Sequence, residues 1–337
     1  MSQSPGLLRP SRRAFVQSVG ATGLGLLAGC RPPAPFAQPA SGKPTIPRVG
    51  HLGISSTNPL VTEQLAALGY VEGQTILIEW RGDEGRAERL AQHVAELVHL
   101  NLDLILAAGT DRARALRDAT GTIPIVMHSG VDPVGAGLVE SLAHPGGNVT
   151  GAVEYHPELP GKQLELLREL VPGSSHVTAL GSTPSLDGAR DEELAVAARA
   201  LGLQLRALRV PTAEALTEAL PRAAGERTDA LLVVHSGLMA SQQTPIVEFA
   251  ARQGLPAMYG RRTYAEAGGL AAYGPNLRDL YYRAATHVDK ILKGTKPTDL
   301  PVEQPMRFDF AINLKTAQAL GLTIPQHVLL QATEVIE

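Results

Sequence analysis

Short apolar runs alternate with helix-length amphipathic segments along the chain from Arg48 onward. The runs RVGHLGI, TILIEWR, DLILAAG and IPIVMHS have the length of strands, and the segments between them repeat apolar residues every three or four positions. Strands that alternate with helices of this length predict βαβ units, in which helices cover both faces of a parallel sheet. The sequence therefore predicts an α/β lobe that begins near residue 48.

The alternation resumes after the run NVTGAVEY at residues 148–155, so a second α/β lobe is expected from about residue 154. A predicted helix from Leu277 to Lys293 and a tail from Phe308 to Ile336 exceed what the second lobe needs, so we expect the chain to cross back between lobes. The predicted division is 48–152 plus about 274–300 for the first lobe, and 153–273 plus about 301–337 for the second.

The two lobes look like weak copies of each other. DLIL at residues 103–106 leads through a helix to IPIV at 123–126, and DALL at 229–232 leads likewise to LPAM at 255–258. The offset between the copies grows from 126 to 132 residues, which a longer connection explains. A coincidence between two ordinary βα units is the alternative.

The first 29 residues have the organisation of an export signal. Three arginines form a cationic region, a mostly apolar stretch follows, and small residues precede Cys30. SRRAFV resembles the twin-arginine export motif, and LAGC resembles the lipobox, whose cysteine becomes the lipid-modified first residue of the mature chain. The alternative is a plain signal peptide with a chance cysteine. The proline-rich residues 30–47 predict a tether.

The composition excludes several classes of protein. With 44% hydrophobic and 19% charged residues, the 337-residue chain matches an ordinary globular protein. Its first 29 residues hold three arginines and no acid, so their removal changes the net charge from −3 to −3 − 3 = −6, which disfavours nucleic acid as a partner. A single cysteine forms no internal disulfide and no multi-thiolate metal site. After residue 30 no apolar stretch approaches the roughly 20 residues that span a bilayer.

Residues that directly follow the predicted strands are the candidate ligand contacts, because open α/β sheets bind ligands beyond the carboxyl ends of their strands. In the first lobe these loops offer hydroxyls and helix-start amides suited to an anion, and a carboxylate suited to an ammonium group. Helix capping is the alternative for the hydroxyls, and the carboxylate is equally suited to capping the helix that Pro133 begins. The first-lobe candidates are Ser55, Ser56, Gly109, Thr110, Ser129 and Asp132.

The matching loops of the second lobe contain aromatic, hydroxyl and cationic side chains. Aromatic rings and the guanidinium of Arg261, facing hydroxyls across a cleft, would suit a small organic ligand with an apolar body and charged ends. Arg262 is expected to be a solvated neighbour without a role in binding. The second-lobe candidates are Thr183, Ser236, Tyr259 and Tyr264.

No catalytic or metal-binding motif accompanies these candidates. The sequence contains no G-x-S-x-G, H-E-x-x-H or P-loop pattern. His93 and His99 are six residues apart on one predicted helix, and this spacing does not place them on one face as a pair of metal ligands. We therefore expect no enzymatic activity, no metal and no cofactor.

Three segments carry a resemblance to a known family: DPVGAGLV at 132–139, HPGGNVTG at 144–151 and EAGGL with YGPN between 266 and 276. Together with further matching stretches through nearly the whole body, they resemble the substrate-binding lipoproteins of ABC transporters, in the family that includes tryptophan- and tyrosine-binding proteins. The resemblance implies a type I periplasmic-binding-protein fold, with two Rossmann-like lobes joined by three crossings and closing by a hinge motion.

The resemblance also implies two facing walls of a ligand site. Ser55, Gly109, Thr110, Ser129 and Asp132 would line the first-lobe wall, with Thr183, Ser236 and Tyr259 opposite. Two loops depart from the family pattern: the loop after the first strand is short, and His235-Ser236 replaces a loop expected to be richer in proline or aspartate. The identity of the ligand is therefore not transferred from the family.

The function expected from these observations is capture of a small solute, an amino acid or a related organic molecule, and its delivery to an ABC permease. We expect a monomer, held in the periplasm by a lipid on Cys30. One alternative is a sensory ligand-binding protein of the same fold. A Rossmann-like enzyme, such as a nucleotide-sugar epimerase, is disfavoured because the glycine-rich turn after a first strand is missing and an export signal is present.

Overall fold

The computed structural model describes residues 46–186, 189–225 and 227–337. The expected leader, the lipidation residue Cys30 and nearly all of the expected tether lie outside the described residues. Within the described ranges, no helix combines the length and the apolar character needed to cross a membrane.

The first lobe is built on five parallel strands. They are β1 (Arg48–Gly53), β2 (Leu77–Gly82), β3 (Leu104–Ala108), β4 (Ile125–Gly130) and β5 (Val149–Val153), in the spatial order β2-β1-β3-β4-β5. The helices between them are α1 (Pro59–Ala67), α2 (Ala87–His99) and α3 (Thr110–Ala119).

Strand β3 is apolar throughout because helices cover both faces of this sheet. Leu104 and Leu106 pack in the cluster that contains residues of α1, whereas Ile105 and Ala107 pack in the cluster that contains residues of α2 and α3. Successive side chains of a strand point to opposite faces, so an unbroken apolar run is required here.

The second lobe has a seven-stranded sheet. Its strands are β6 (His176–Ser182), β7 (Gln204–Val210), β8 (Ala230–Val233), β9 (Ala257–Tyr259), β10 (Ala271–Pro275), β11 (Phe308–Asn313) and β12 (Glu334–Ile336). The order is β12-β11-β10-β9-β8-β6-β7, and β11 runs antiparallel to β10. The expectation of two lobes with parallel sheets flanked by helices is confirmed, with this antiparallel pair as an addition.

Helices and two short 3₁₀ segments complete the second half of the chain. Among the described residues, six helices lie before or between the strands β6 to β10: α4 (Leu159–Leu170), α5 (Ala189–Ala200), α6 (Ala213–Ala223), α7 (Gly237–Ser241), α8 (Gln243–Arg252) and α9 (Arg262–Glu266). Two more of these described helices follow β11: α11 (Leu314–Ala319) and α12 (Gln326–Leu329). The 3₁₀ segments are Thr183–Leu186 and Pro297–Asp299.

The chain passes between the sheets three times. It leaves the first sheet after β5, returns after β10 to form α10 (Leu277–Leu292), and crosses again before β11. Helix α10 packs against β4, β5 and α1. The last crossing is fixed to β5, because the Glu303 N–H donates to Gly151 O at 2.8 Å and the Val153 N–H donates to Glu303 O at 2.9 Å.

Candidate functional site

A cavity lies between the lobes, where strands of both sheets end. It encloses an empty volume of about 540 Å³, part of it open to solvent. The loops after β4, β5, β8 and β9, the last residue of β10 and the first two turns of α4 and α5 form it, as expected for a ligand site beyond the carboxyl ends of parallel strands. The lining residues are Val131, Glu154, Tyr155, His156, Leu159, Pro160, Gln163, Leu194, Val234, His235, Gly260 and Pro275.

A charged cluster crosses this cavity from one lobe to the other. Glu154 directly follows β5, and its N–H donates to Gly130 O at 2.7 Å, which fixes it to the first lobe. Its carboxylate is only 6% exposed and accepts a hydrogen bond from Arg261 Nη2 of the second lobe. The His235 Nε2 atom lies 3.4 Å from the other carboxylate oxygen. A buried carboxylate requires such partners, because an unpaired charge is costly away from water.

The remaining walls of the cavity are mostly apolar. Leucine, proline and valine side chains from both lobes line the cavity together with Tyr155, whose hydroxyl donates to Glu193 on α5. Gln163, in the second turn of α4, adds a polar side chain, and its Nε2 donates to Tyr273 O at 2.7 Å. A cavity with apolar walls and a few placed polar groups is typical of a small-molecule site.

Two buried histidines lie beneath the first-lobe side of the cleft. His51 on β1 and His128 on β4 are 1% and 0% exposed, and their Nε2 atoms are 3.2 Å apart. The ring of Trp80 lies 4.6 Å from that of His51, and the ring of Tyr281 lies 4.7 Å from that of His128, measured between centroids. One imidazole must donate and the other accept in this contact, so at least the accepting ring is neutral.

The protein environment keeps this pair neutral. Burial and, to a smaller extent, the nearby positive charge of Arg112 together lower the pKa of His51 to about 3. Burial also lowers the pKa of His128 well below its ordinary value, with contributions from His51, Arg261 and Arg112. Arg261 is linked to the end of β4 through Glu154, which accepts from its guanidinium and donates its own N–H to Gly130 O at 2.7 Å.

A buried ion pair ties the ends of two first-lobe strands together. Arg112 Nη2 donates to Asp83 Oδ1 at 2.6 Å, and these side chains are 13% and 3% exposed. Arg112 Nη1 also donates to Ala108 O at 3.1 Å, while the Gly85 N–H donates to Asp83 Oδ1 at 2.8 Å. The pair holds the loop after β2 against the start of α3.

The first-lobe candidates near β1 and β3 differ in their exposure and in their contacts. Ser55 and Ser56 are exposed, and their loop lies directly on Gly82, where an added Cβ would be 2.4 Å from Ser56 N. Gly109 begins the turn into α3 with φ 84°. The Thr110 hydroxyl donates to Val131 O at 2.6 Å and accepts from Val131 N at 2.7 Å. Thr110 therefore holds the loop after β4 in place.

The other two first-lobe candidates, one near the end of β4 and one in the loop after it, carry backbone strain. Ser129 and Asp132 have φ values of 57° and 44°, a region that residues other than glycine rarely adopt. The Ser129 hydroxyl is buried and has no hydrogen-bond partner among the described residues. Asp132 Oδ1 accepts the Gly135 N–H at 2.9 Å, but residues 133–137 form a turn, so the helix expected to begin at Pro133 is absent. Strain of this kind is common in ligand-binding loops.

The second-lobe hydroxyl candidates lie at helix starts. Thr183 is the first residue of the 3₁₀ segment that follows β6. The Ser236 hydroxyl accepts the Met239 N–H at 3.2 Å and so caps α7, which is the ordinary structural role of such a residue.

The two tyrosine candidates lie in the core of the second lobe and not on the wall of the cleft. Tyr259 and Tyr264 are 0% and 1% exposed, and their rings stack with centroids 4.8 Å apart. The Tyr264 hydroxyl donates to Met239 O at 2.7 Å, and burial raises the pKa of both phenols. The expectation that these rings face the cleft is corrected here: Tyr259 ends a three-residue strand, and its ring points toward α8 and α9.

Sequence reasoning overlooked several residues of the cavity. Glu154, Tyr155 and Gln163 were not candidates, although Glu154 satisfies the rule of directly following a strand. The sequence predicts that the second lobe begins near residue 154, and this prediction conceals the end of β5 as part of the cleft. Arg262, expected to be a bystander, is 50% exposed and pairs with Glu266 and Glu334 outside the cavity.

The chain is similar to known proteins over most of its length. The family model described as ABC transporter substrate binding protein matches residues 47–336. A curated relative, the tyrosine-binding protein of Clostridioides difficile (strain R20291), is 27% identical over 275 residues, which cover 81% of this chain and 79% of the relative.

Solved structures with the same fold cover most of the chain. An ABC domain from Streptococcus pneumonia in complex with L-Trp is 30% identical, with a TM-score of 0.79 and coverage of 87% of this chain and 100% of that one. A conserved domain protein from Vibrio cholerae is 28% identical, also with a TM-score of 0.79, and covers 86% of this chain and 100% of that one.

Proposed function

Because the chain belongs to the ABC transporter substrate binding protein family, we propose that its ligand is a free α-amino acid with a large apolar side chain. The chain is the extracytoplasmic component of an ABC transporter that captures a small solute between two lobes and delivers it to the permease. The finer proposal is supported by two relatives, one named as a tyrosine-binding protein and one solved with L-Trp.

The observation that carries the proposal is the combination of apolar walls with a charged cluster inside one cavity. An amino acid matches this combination, because it joins an apolar side chain to a carboxylate and an ammonium group. We assign the carboxylate to Arg261, whose buried Nε has no hydrogen-bond acceptor among the described residues, and to the Ser129 hydroxyl. We assign the ammonium group to Asp132, whose exposed carboxylate lies in the loop after β4.

The remaining candidates surround this arrangement. We propose that Ser55, Ser56 and the amides at Gly109 and Thr110 complete the first-lobe wall when the lobes close. Thr183 and Ser236 would face them from the second lobe.

Calorimetric titration of the purified chain with single amino acids, a sugar and a purine tests the ligand class. We expect saturable binding of at least one of Trp, Tyr, Phe, Leu or Met, and Kd values at least tenfold higher for Asp and Lys. Arg261→Gln should raise the Kd of the bound amino acid at least tenfold, since a charge-assisted contact contributes about 1.5–3 kcal/mol. Arg262→Gln is the matched control, with less than a twofold change expected. Binding of only the sugar or the purine would refute the proposal.

We propose that capture involves no covalent chemistry and that the protein acts as a monomer. The missing catalytic motifs support the first point. Mass spectrometry of the recovered ligand should find it unchanged, and light scattering should give the mass of one chain. A chemically altered ligand or a stable dimer would contradict these points.

We propose that residues 1–29 are a twin-arginine export signal, that Cys30 carries the lipid anchor and that residues 30–47 tether the two lobes to a bacterial membrane. Cys30→Ser should abolish incorporation of radiolabelled lipid and release the protein into the soluble periplasmic fraction. Arg12→Lys combined with Arg13→Lys should stall export. Labelling of the Cys30→Ser variant would refute the lipobox, and normal export without a twin-arginine translocase would refute that route.

A further inference from the structure

Gln163 is the buried polar side chain in the α4 wall of the cavity. It is 5% exposed, and its Nε2 donates to the backbone oxygen of Tyr273 at 2.7 Å. This contact fixes the orientation of the amide, since exchanging its nitrogen and oxygen would bring two acceptors together. The Gln163 Oε1 atom is left without a hydrogen-bond donor among the described residues.

The surroundings of this oxygen make its lack of a partner significant. Leu159, Pro160, Leu194 and Pro275 line the same cavity and offer no side-chain donor, and the donors of Tyr155 and His235 face Glu193 and Glu154. Water can reach Oε1 while the cavity is open, but an apolar ligand group that displaces this water leaves the oxygen unsatisfied. A buried acceptor without a donor is costly, whereas a ligand that supplies an N–H or O–H avoids the loss.

We propose that Gln163 is a specificity-determining residue, whose Oε1 accepts a hydrogen bond from an N–H or O–H group at the edge of the ligand's side chain. The site then favours indole and phenol side chains over a phenyl ring, although all three fill apolar walls. This inference rests on the proposed function, with the amino acid seated so that its side chain points toward α4.

Titration of the purified chain with L-Tyr, L-Trp, L-Phe and 4-fluoro-L-phenylalanine tests the inference. The fluorinated ring has nearly the shape of the phenol but no O–H donor. In the wild type we expect Kd values for Phe and 4-fluoro-Phe at least about tenfold above that of the better of Tyr and Trp, because sites built around a ligand donor reject analogues that lack it. A ratio below about threefold would overturn the inference.

Gln163→Leu should bring the ratio of the Kd values for Phe and Tyr, or for Phe and Trp, close to one. The substitution also removes the contact with Tyr273 O, but that loss is common to all ligands and leaves the ratio unchanged. The exposed Gln253→Leu is the matched control and should keep the wild-type ratio. A wild-type ratio in the Gln163→Leu variant would overturn the inference. If that variant does not fold, the 4-fluoro-Phe comparison in the wild type decides. Binding of Leu or Met but of none of these four would overturn the inference and leave the proposed function intact, whereas failure of Leu and Met as well would refute the proposed function.

Discussion

At the scale of single residues, the cleft is notable for polar side chains that are buried in pairs. His51 contacts His128, Arg112 pairs with Asp83, and Glu154 pairs with Arg261. Each pair joins residues far apart in the sequence, with separations of 77, 29 and 107 residues. The sequence alone identified Arg261 and the strand end that contains His128. The hydrophobic pattern and the spacing of residues carry no information about which side chains on distant strands pair with them.

The histidine pair predicts a loss of stability in acid. Both folded-state pKa values lie below the ordinary value of about 6.5, and that of His51 is about 3. Above pH 6.5 the histidines are neutral in the folded and unfolded states and contribute no pH dependence. Between pH 6.5 and about 3 the unfolded chain binds protons that the folded chain excludes, so stability falls by up to about 1.4 kcal/mol per pH unit for each histidine.

His51→Gln should therefore reduce the pH dependence by about 1.4 kcal/mol per pH unit between pH 6 and pH 4.5. Urea unfolding at several pH values measures this slope. The exposed His144→Gln variant serves as the control and should keep the wild-type slope. Equal slopes for all three proteins would show that the buried histidine is not the source.

At the scale of elements, the βαβ alternation predicted both lobes and the loops that carry the cavity. The suspected internal repeat has a structural counterpart: Asp103 accepts the N–H of Arg48 at the start of β1, and Asp229 accepts the N–H of His176 at the start of β6. The directions of side chains at the ends of strands were harder to predict from the sequence. The side-chain direction of Tyr259 depends on where the short strand β9 begins, because successive residues point to opposite faces: Tyr259 packs in one core cluster and Met258 in the other.

The junction of β4 and β5 gives a prediction about backbone packing. Gly151 has φ 134°, and an added Cβ would lie 1.9 Å from Met127 O. Gly151→Ala must move backbone on one of the two strands, because rotation of a side chain cannot relieve this contact. We expect a loss of about 3 kcal/mol or more in the free energy of unfolding, measured with urea.

Gly121→Ala is the matched control for Gly151→Ala. No heavy atom lies within 4 Å of the added Cβ at Gly121, and its φ is not positive. Its free energy of unfolding should stay within about 0.5 kcal/mol of the wild type. A small effect at Gly151 would mean that the strands separate there at little cost.

At the scale of the whole molecule, three crossings join two lobes that close on a ligand, and the contact of Glu154 with Arg261 links the lobes across the cavity. Strand alternation and the surplus helix near the end of the chain allowed this architecture to be predicted. The interlobe contact could not be, because it depends on how closely the lobes approach. We expect this contact to form only when the lobes close, in which case it increases the population that binds ligand and so raises the affinity.

Glu154→Gln should therefore raise the Kd of every bound amino acid by a similar factor, about tenfold. Removing one partner of a buried charge pair costs roughly 2–5 kcal/mol. Part of this cost also falls on the ligand-free protein, so only the remainder weakens binding. Its effect differs from that of Gln163→Leu, which changes the ratio between ligands. X-ray scattering measures the decrease in the radius of gyration when ligand is added. At the same subsaturating ligand concentration, this decrease should be smaller for Glu154→Gln than for the wild type. At saturation, the two proteins should show the same decrease. The exposed Glu218→Gln should match the wild type in both measurements. Unchanged affinity in Glu154→Gln, with its fold intact, would mean that closure depends on the ligand and not on this ion pair.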